Sequence, residues 1–450
     1  MKKIFIILFL IFFNIFNFAF CKDENQYTNM DWWNSFNDKY LSENLEKLYK
    51  NNYDLKNAAL KIKENEQMVK MQFAQELPFL SLTGELSRDF QAPRQQFGSM
   101  MIPKYSQYNY NIPLSAGYEI DIWGKNRLKT KSKKQQLEII KQMERATYIS
   151  LSGNFAADYF NLIKADKLIE LQKELIDTQE EILSKTREKY NSGLCSINEV
   201  LEAQKLLTIL KEEYNTHIKT RDVLIESLKV YLADENDKIK RNSFENTKLI
   251  DDLPLKYNSD IVLKRPDYIE QEANLKRLGF DIRVARKEFL PSFVIFGQIG
   301  LNAYHLSSLF NSPSQFFNAG ILPSWDLFSG GRKIAFLKMK KMQYEQALND
   351  YQKTYITGVT DINSNLIEYK TALENYKEVS NRIKTDEKIY NLIKDKRKIG
   401  SANDLDVLYA KEIYLSTKKQ ETSNKINSII CSIGLYKALG GINPYNSEKM

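Results

Sequence analysis

The sequence predicts an α+β membrane protein with two structural repeats per chain, each of which joins membrane strands to a very long helix. Three observations predict this fold class: a motif pattern that occurs twice, segments in which apolar and polar residues alternate, and two segments of more than one hundred residues without proline. A helix as long as these segments allow cannot enclose a compact core, so an ordinary globular domain is excluded.

The repeated pattern combines an aspartate, an arginine and several glycines at matched spacings. In each copy an Arg follows an Asp by six residues, and a Gly follows that Arg by twenty-six. The matched residues are Asp121, Arg127, Gly153 and Gly193 in the first copy and Asp326, Arg332, Gly358 and Gly400 in the second. Such agreement indicates a duplication and favours a conduit over an enzyme.

The N-terminus has the layout of an export signal. Two lysines precede an apolar run from Ile4 to Phe20, and a polar stretch follows. We predict a signal peptide over residues 1–20. The alternative is an uncleaved membrane anchor, although the run is short for a spanning helix. Cys21 ends a stretch that resembles a lipoprotein cleavage box and is the predicted lipid attachment site. Because Phe20 departs from that box, cleavage by an ordinary signal peptidase is the alternative.

The remaining chain divides at the repeat boundary. We predict a first repeat over residues 21–250, containing a helix, two strands, a long helix and a return helix. A second repeat follows over residues 251–443, and residues 444–450 form a C-terminal tail.

Proline placement predicts the long helices. No proline occurs in residues 114–253 or 324–443, and glycine is sparse there. Because proline breaks helix interiors, both segments are predicted to be helical, with interruptions near Gly193 and Gly400. The stretch from Arg127 to Gly193 would extend about 100 Å at ~1.5 Å per residue.

Two adjacent apolar stripes with a seven-residue period follow the first long helix. One stripe contains Ile169, Ile176, Leu183 and Tyr190, and the other contains Leu168, Leu175 and Ile182. This coiled-coil spacing predicts partner helices on two sides. A simple antiparallel hairpin with one broad buried face is the alternative.

Ahead of each long helix the apolar period changes to two. Apolar and polar residues alternate over 80–87 and 108–122, and the second copy carries the pattern from Phe293 to Leu301. Such strands are typical of a membrane barrel with an aqueous lumen. An antiparallel sheet over a soluble core gives the same alternation, but the export signal favours the membrane. Two strands per copy are too few to close a barrel, so other chains must complete it.

Four longer motifs carry a resemblance to a known family. They are Arg-Pro-Asp-Tyr-Ile at 265–269, Phe-Leu-Pro-Ser at 289–292, Asp-Leu-Phe-Ser-Gly-Gly-Arg at 326–332 and Leu-Tyr-Lys-Ala-Leu-Gly-Gly at 435–441. Together they resemble the TolC-like outer-membrane factors, which are the outer-membrane channels of tripartite efflux pumps and type I secretion systems. The motifs are most similar to the branch that works with proton-driven pumps, and the resemblance covers essentially the whole mature chain.

The resemblance implies a homotrimer whose twelve strands form one outer-membrane β-barrel, continuous with a long periplasmic α-helical barrel. It also implies a set of helix positions: long descending helices at 127–192 and 332–399, return helices at 196–232 and 403–437, and upper helices at 42–76 and 266–289. The turns at Gly193 and Gly400 would then be the periplasmic tips.

The implied function is a passive exit channel for drugs or other small toxic compounds across the outer membrane. The implied partners are further copies of the chain, a periplasmic adaptor (membrane fusion) protein, a proton-driven inner-membrane pump and outer-membrane lipid. One alternative is the outer-membrane duct of a type I protein secretion system. Another is a trimeric coiled-coil surface protein without a pore.

Acidic residues follow each predicted tip turn and are candidates for a channel constriction. They are Glu199, Glu202, Asp404 and Asp406. Three copies of each would place rings of negative charge at the narrow end, where members of the family close their channel. The alternative is that these acids serve the helix N-termini, where the helix dipole favours them.

Two other matched sets have structural interpretations. Asp121 with Arg127, and Asp326 with Arg332, fall where strand passes into helix and are predicted to form a salt bridge or a helix-start cap. The glycines Gly153 and Gly358, inside the long helices, are interpreted either as bend points for channel opening or as sites of close helix contact.

The sequence shows no sign of catalytic, cofactor or metal chemistry. It contains two histidines, neither with cysteines or carboxylates at metal-ligand spacing, and no phosphate loop or nucleophile elbow. The net charge of +8 is spread along helical stretches, so nucleic acid is not an expected partner. Cys195 and Cys431 are predicted to lie about 50 Å apart, too far to pair. An enzyme is therefore not expected, and energy for transport must come from a partner.

Overall fold

A computed structural model describes residues 27–92, 94–96, 100–102, 104–236 and 238–445. The predicted signal peptide and Cys21 lie outside these residues. The helices are α1 (Met30–Asn34), α2 (Lys39–Asn51), α3 (Tyr53–Ala74), α4 (Lys125–Asn191), α5 (Ile197–Leu232), α6 (Pro266–Lys287), α7 (Arg332–Lys398) and α8 (Asp404–Ala438). The strands are β1 (Phe79–Leu82), β2 (Glu85–Gln91), β3 (Arg94–Gln96), β4 (Met100–Ile102), β5 (Tyr105–Glu119), β6 (Ser292–Ala303) and β7 (Gln315–Ser324).

The two long helices dominate the fold. α4 and α7 each contain 67 residues, which corresponds to about 100 Å. Both lie within two residues of the predicted bounds. In the half of the helical region beside the sheet, neighbouring helices contact one another in the order α3, α4, α6, α7. In the half that contains the tip turns, the order is α5, α4, α8, α7. The chain therefore forms a wall four helices wide along its whole length.

The stripes on α4 have different partners, as their spacing predicts. Leu183 packs with Val200 and Leu207 of α5, whereas its neighbour Ile182 packs with Leu405 and Leu408 of α8. The interpretation with partners on two sides is thus confirmed for α4, and the one-faced hairpin is wrong. At the end of the first stripe, Tyr190 is exposed, because α4 ends one residue later.

The upper helix predicted over residues 42–76 is in fact two helices. The chain breaks at Asn52, whose backbone has φ −57° and ψ 131°. Its side-chain oxygen accepts hydrogen bonds from the backbone N–H groups of Asp54 and Leu55, and so caps the start of α3. An asparagine in this role satisfies N–H groups that the helix leaves unpaired. The resemblance to the family implied one unbroken helix here and did not predict this break.

An aromatic core surrounds the middle of the long helices. α1, α2 and the segment 233–265 pack there against α4, α5 and α8. Trp32 stacks on Tyr436 at 5.6 Å between ring centroids, and Trp33 meets the same ring edge-on at 5.1 Å. The buried Tyr159 hydroxyl donates to Asp38 at 2.9 Å, and burial raises the pKa of Tyr159. Sequence patterns did not predict this core, because its parts are far apart in the chain.

The strands form one antiparallel sheet in the order β1/β2, β5, β6, β7, with β3 and β4 paired separately. The strand predicted near 80–87 extends over 79–91 with an interruption at Thr83 and Gly84. The alternating segment 108–122 forms a strand only to residue 119, and the residues after it lead into α4. Within the described part of the chain, the sheet is unpaired along two edges, one at β1/β2 and one at β7.

One face of this sheet is apolar. Residues paired directly across antiparallel strands lie on the same face, so the register identifies the rows. The apolar rows are Leu82, Leu114, Ile299 and Phe317, and Tyr118, Ile295 and Ile321. Several of these side chains are exposed in the single chain.

The opposite face carries most of the polar residues of the sheet. Ser115, Gln298 and Asn318 form one row, in which the Gln298 amide donates to the Ser115 hydroxyl at 3.1 Å. At the end nearest the helices this face instead carries Phe79 and Phe296. Val294 and Leu322 lie on this face at the same end, and Phe316, which pairs with Gly300, lies on it near the other end of β7. The predicted alternation therefore holds for β5 and only in part for β6 and β7.

The two glycines inside the long helices lie at close contacts. A Cβ on Gly153 would lie 2.6 Å from Cδ of Lys437, the flexible part of an α8 side chain. A Cβ on Gly358 would lie 2.8 Å from Cγ1 of Val262, which is fully buried. The geometry favours close packing over a bend point at both positions.

Gly358→Ala is therefore expected to destabilise the protein more than Gly153→Ala. Alanine gains about 1 kcal/mol of helix propensity at either site. Overpacking against Val262 costs about 1–3 kcal/mol, whereas the Lys437 chain can move aside. Thermal unfolding of the two purified variants would measure the difference. Equal melting temperatures would contradict this account.

Candidate functional site

The turns that join each long helix to its return helix contain the first set of candidate residues. Gly193 and Gly400 have φ of 72° and 76°, a left-handed conformation that disfavours a Cβ. The N–H of Leu194 donates to the carbonyl of Lys189 at 2.9 Å, and Ser401 donates to Lys396 at 2.8 Å. Each long helix thus ends in a Schellman motif, in which the left-handed residue is usually glycine.

In the first copy, the two candidate acids have different environments. Glu199 accepts a hydrogen bond from the N–H of Ser196 at 3.1 Å and completes a capping box at the start of α5. Glu202 lies three residues further, is exposed and, among the described residues, has no hydrogen bond or ion pair. Glu199 therefore stabilises the helix N-terminus, as the alternative to a constriction role predicts. Glu202 has no such role at the start of α5.

In the second copy, both acids have partners. Asp406 accepts a hydrogen bond from the N–H of Asn403 at 2.9 Å, and Asn403 caps Asp406 in return, which is a second capping box. Arg397 donates to Asp404 at 2.5 Å, and this hydrogen bond holds the pKa of Asp404 below its usual value. The negative charge of Asp404 is thus compensated within the chain.

The strand–helix junction of the first copy combines both roles predicted for it. Asp121 accepts from the N–H groups of Asn126 and Arg127, at 3.2 and 3.0 Å, and its carboxylate lies 3.4 Å from Nε of Arg127. Partial burial acts to raise the pKa of Asp121, but these donors outweigh it and the pKa is lowered. Asp121 is therefore a cap and an ion-pair partner at once.

The junction of the second copy has an ion pair but, among the described residues, no side-chain cap at the start of α7. Asp326 lies 3.6 Å from Arg332 and 3.3 Å from Lys333, whose ammonium also donates to the Asp326 carbonyl. Both long helices begin after a left-handed glycine, Gly124 with φ 73° and Gly331 with φ 83°. These residues shape the turn from strand to helix.

The two flanks of the helical wall expose apolar side chains. α7 buries 7 of its 67 residues, whereas α4 buries 25 of the same number. The exposed apolar residues of α7 include Ile356, Ile367, Ile389 and Leu392, and those of α5 include Leu201, Val223 and Val230. The wall therefore has unpartnered flanks on the same two sides as the open edges of the sheet.

The family of this chain follows from its match to a known sequence profile. The sequence profile described as outer membrane efflux protein matches residues 44–216 and 259–441. The chain belongs to the outer membrane efflux protein family. The resemblance to TolC-like channels is thereby confirmed, and the family profile matches each half of this efflux protein once.

Relatives and solved structures agree with this assignment. The chain is 27% identical to the probable efflux pump outer membrane protein TtgC of Pseudomonas putida over 413 residues, covering 91% of this chain and 84% of the relative. It is 24% identical to the probable outer membrane lipoprotein SilC of Salmonella typhimurium over 425 residues, covering 93% and 89%. The fold matches the Campylobacter jejuni CmeC outer membrane channel with a TM-score of 0.83 and 25% identity, covering 94% and 90% of the two chains.

This outer membrane efflux protein is located in the outer membrane and acts as an exit channel. Among its described residues, no helix is both long enough and apolar enough to cross a bilayer.

Cys195 and Cys431 are free thiols. Cys21 lies outside the described residues, so its lipidation stays a prediction.

Proposed function

We propose that three copies of this chain assemble into the outer-membrane exit channel of a tripartite efflux pump. The channel passively conducts drugs or other small toxic compounds received from a proton-driven inner-membrane transporter through a periplasmic adaptor protein. In this proposal residues 1–20 are a signal peptide, Cys21 carries lipid, and 21–250 and 251–443 are the two repeats.

One observation carries the proposal: the sheet and the helical wall are both open on the same two sides. Open sheet edges leave backbone N–H and C=O groups unpaired, which is not tolerated in lipid. Because one edge is β1/β2 and the other is β7, contact between copies would be heterologous, and such a contact gives a ring when the rotation between copies closes. Three copies would supply twelve strands and a continuous wall of helices, with the polar sheet face towards the lumen.

The names of relatives support small compounds as the substrates. Relatives are named for efflux of antibiotics and of toluene in Pseudomonas putida, and for efflux of cations in Escherichia coli. Outer-membrane proteins with similar sequences thus serve pumps of different substrates. We infer that the pump, not this chain, selects the compound.

The test is accumulation of a fluorescent pump substrate in cells that lack the gene. Higher accumulation that the intact gene reverses is the expected result. Unchanged accumulation, together with loss of a protein from the medium, would instead support a type I secretion duct.

We also propose that the tip turns form the periplasmic end of the channel and that Glu202 contributes most to its charge. Glu199, Asp404 and Asp406 each have a partner within the chain, whereas Glu202 remains an exposed and uncompensated carboxylate. Three copies of Glu202 would form a ring that attracts cations.

Glu202→Gln is expected to weaken block of the channel by divalent cations severalfold. Glu199→Gln is the matched control, because glutamine keeps the capping hydrogen bond and removes the same charge. Single-channel recordings in planar bilayers would compare them. An equal effect of both substitutions would contradict the special role of Glu202, and no effect of either would remove this turn from the constriction.

A further inference from the structure

We infer that the starts of the long helices form a basic belt that binds anionic phospholipid headgroups of the leaflet facing the periplasm. The belt consists of Lys129, Lys131, Lys133 and Lys134 on α4, and Lys338 and Lys341 on α7. The inference rests on the proposed function in one respect, namely that the sheet spans the membrane and the helices leave it at the strand–helix junction.

The belt segments, residues 125–137 and 332–344, contain no acidic residue of their own. Two acids of neighbouring segments reach them, since Glu76 accepts a hydrogen bond from Thr130 and Asp281 accepts one from Ser132 and pairs with Lys340. The cations nearest the strands are neutralised, since Lys125 pairs with Glu119 and Arg127 pairs with Asp121. Within the described chain, the six belt lysines have no ion pair or hydrogen bond, and all but the half-buried Lys129 are exposed. Because Asp281 is paired with Lys340, which is not one of the six belt lysines, a net positive charge remains at this level of the molecule.

The tertiary structure gathers this charge from distant parts of the sequence. α6 lies between α4 and α7, and its last turn reaches the same junction. That turn adds Arg286, which is exposed, and Lys287. Three segments that are separated by tens to hundreds of residues thus contribute cations to one belt. In a trimer the belt would continue around the whole molecule.

Exposed aromatic side chains at the junction mark the membrane interface independently of the charge. Trp123 and Trp325 lie between strand and helix, and their indole N–H groups donate to the carbonyls of Pro291 and Phe289 at 2.7 and 3.0 Å. Phe328 beside them is 87% exposed. Aromatic girdles of this kind lie at the headgroup level of membrane barrels.

The distances fit a headgroup partner. The α4 lysines lie five to ten residues beyond Gly124, or about 7–15 Å along the helix at ~1.5 Å per residue. A headgroup layer is about 5–8 Å thick on each side of the bilayer, and the Debye length at physiological salt is about 8 Å. All four lysines are thus within electrostatic reach of lipid phosphates. Flexible lysine chains reach further towards the interface.

The test uses the full-length protein reconstituted in phosphatidylcholine bilayers that contain a minority of phosphatidylglycerol. Association of spin-labelled phosphatidylglycerol is compared with that of spin-labelled phosphatidylcholine. The wild type is expected to prefer the anionic lipid about three- to fivefold, and the preference should fall towards one at about 0.5 M salt.

Replacing Lys129, Lys131, Lys133 and Lys134 with glutamine should remove at least about half of that preference. The matched control replaces four exposed lysines of α7 far from the junction, Lys370, Lys377, Lys384 and Lys388, and should leave it unchanged. If the α4 variant fails to assemble, Lys338→Gln with Lys341→Gln provides a smaller change in the same direction.

An unchanged preference in the α4 variant, or equal losses in both variants, would overturn the inference. A changed anion-to-cation permeability with an unchanged lipid preference would also overturn it, because the lysines would then face the lumen. Conductance measured on the same bilayers keeps the two proposals separate. A wild type without conductance contradicts the exit channel, whatever its lipid preference.

Discussion

Trp33→Ala is expected to lower the free energy of unfolding by about 3–5 kcal/mol, the usual cost of truncating a fully buried tryptophan. Trp33 is fully buried, packs edge-on against Tyr436 and stacks on Phe36 at 6.1 Å. Its removal would open a cavity where α1 meets α8, and so loosen the N-terminal segment from the long helices. Thermal unfolding of the purified protein in detergent, followed by circular dichroism, would measure the loss.

Trp33→Phe is the matched control for this substitution. Phenylalanine keeps an aromatic ring in the same core and leaves a smaller cavity, so it should cost clearly less than alanine. If Trp33→Ala unfolded at the wild-type temperature, the aromatic core would not be what holds α1 and α2 against the helical wall.

Phe317→Lys is expected to prevent assembly in the outer membrane, with a cost of about 2–4 kcal/mol per chain for a lysine that faces lipid. Phe317 lies on β7 in the apolar row with Leu114 and Ile299, and its side chain is 76% exposed. A ring of three chains would carry this cost three times. Outer-membrane fractions and dye accumulation would report the loss of folded channel.

Asn318→Lys is the matched control, since it places the same charge one residue further on the same strand but on the opposite face. Asn318 is exposed and pairs with Gln298 on the polar face. A lysine there would face the proposed aqueous lumen and should be tolerated. Equal loss of assembly in both variants, or in neither, would contradict the assignment of the two faces.

The helical part of the fold was predictable because it depends on local rules. Proline is absent from the long segments and glycine stands at their ends, which predicts two long helices and their C-terminal ends. The family resemblance supplied the starts of α4 and α7, and all four bounds agree with the structure within two residues. The break at Asn52 was not predicted, since the resemblance implied one helix over 42–76 and a capping asparagine cannot be told from any other polar residue of a helix.

The candidate site was predictable only in part. The sequence places four acids after the tip turns but cannot separate capping residues from free carboxylates. That distinction depends on which backbone N–H groups each side chain meets. Only the structure assigns Glu199 and Asp406 to capping boxes and pairs Asp404 with Arg397.

The sequence by itself determined the elements of this efflux protein: the two repeats, the long helices, the two-residue period of the strands and the family to which they belong. The tertiary structure decided which elements meet. The aromatic core around Trp33, the open edges on matching sides and the belt of uncompensated lysines all join residues far apart in the chain. Their contacts arise from packing in three dimensions, for which local sequence patterns carry no signal.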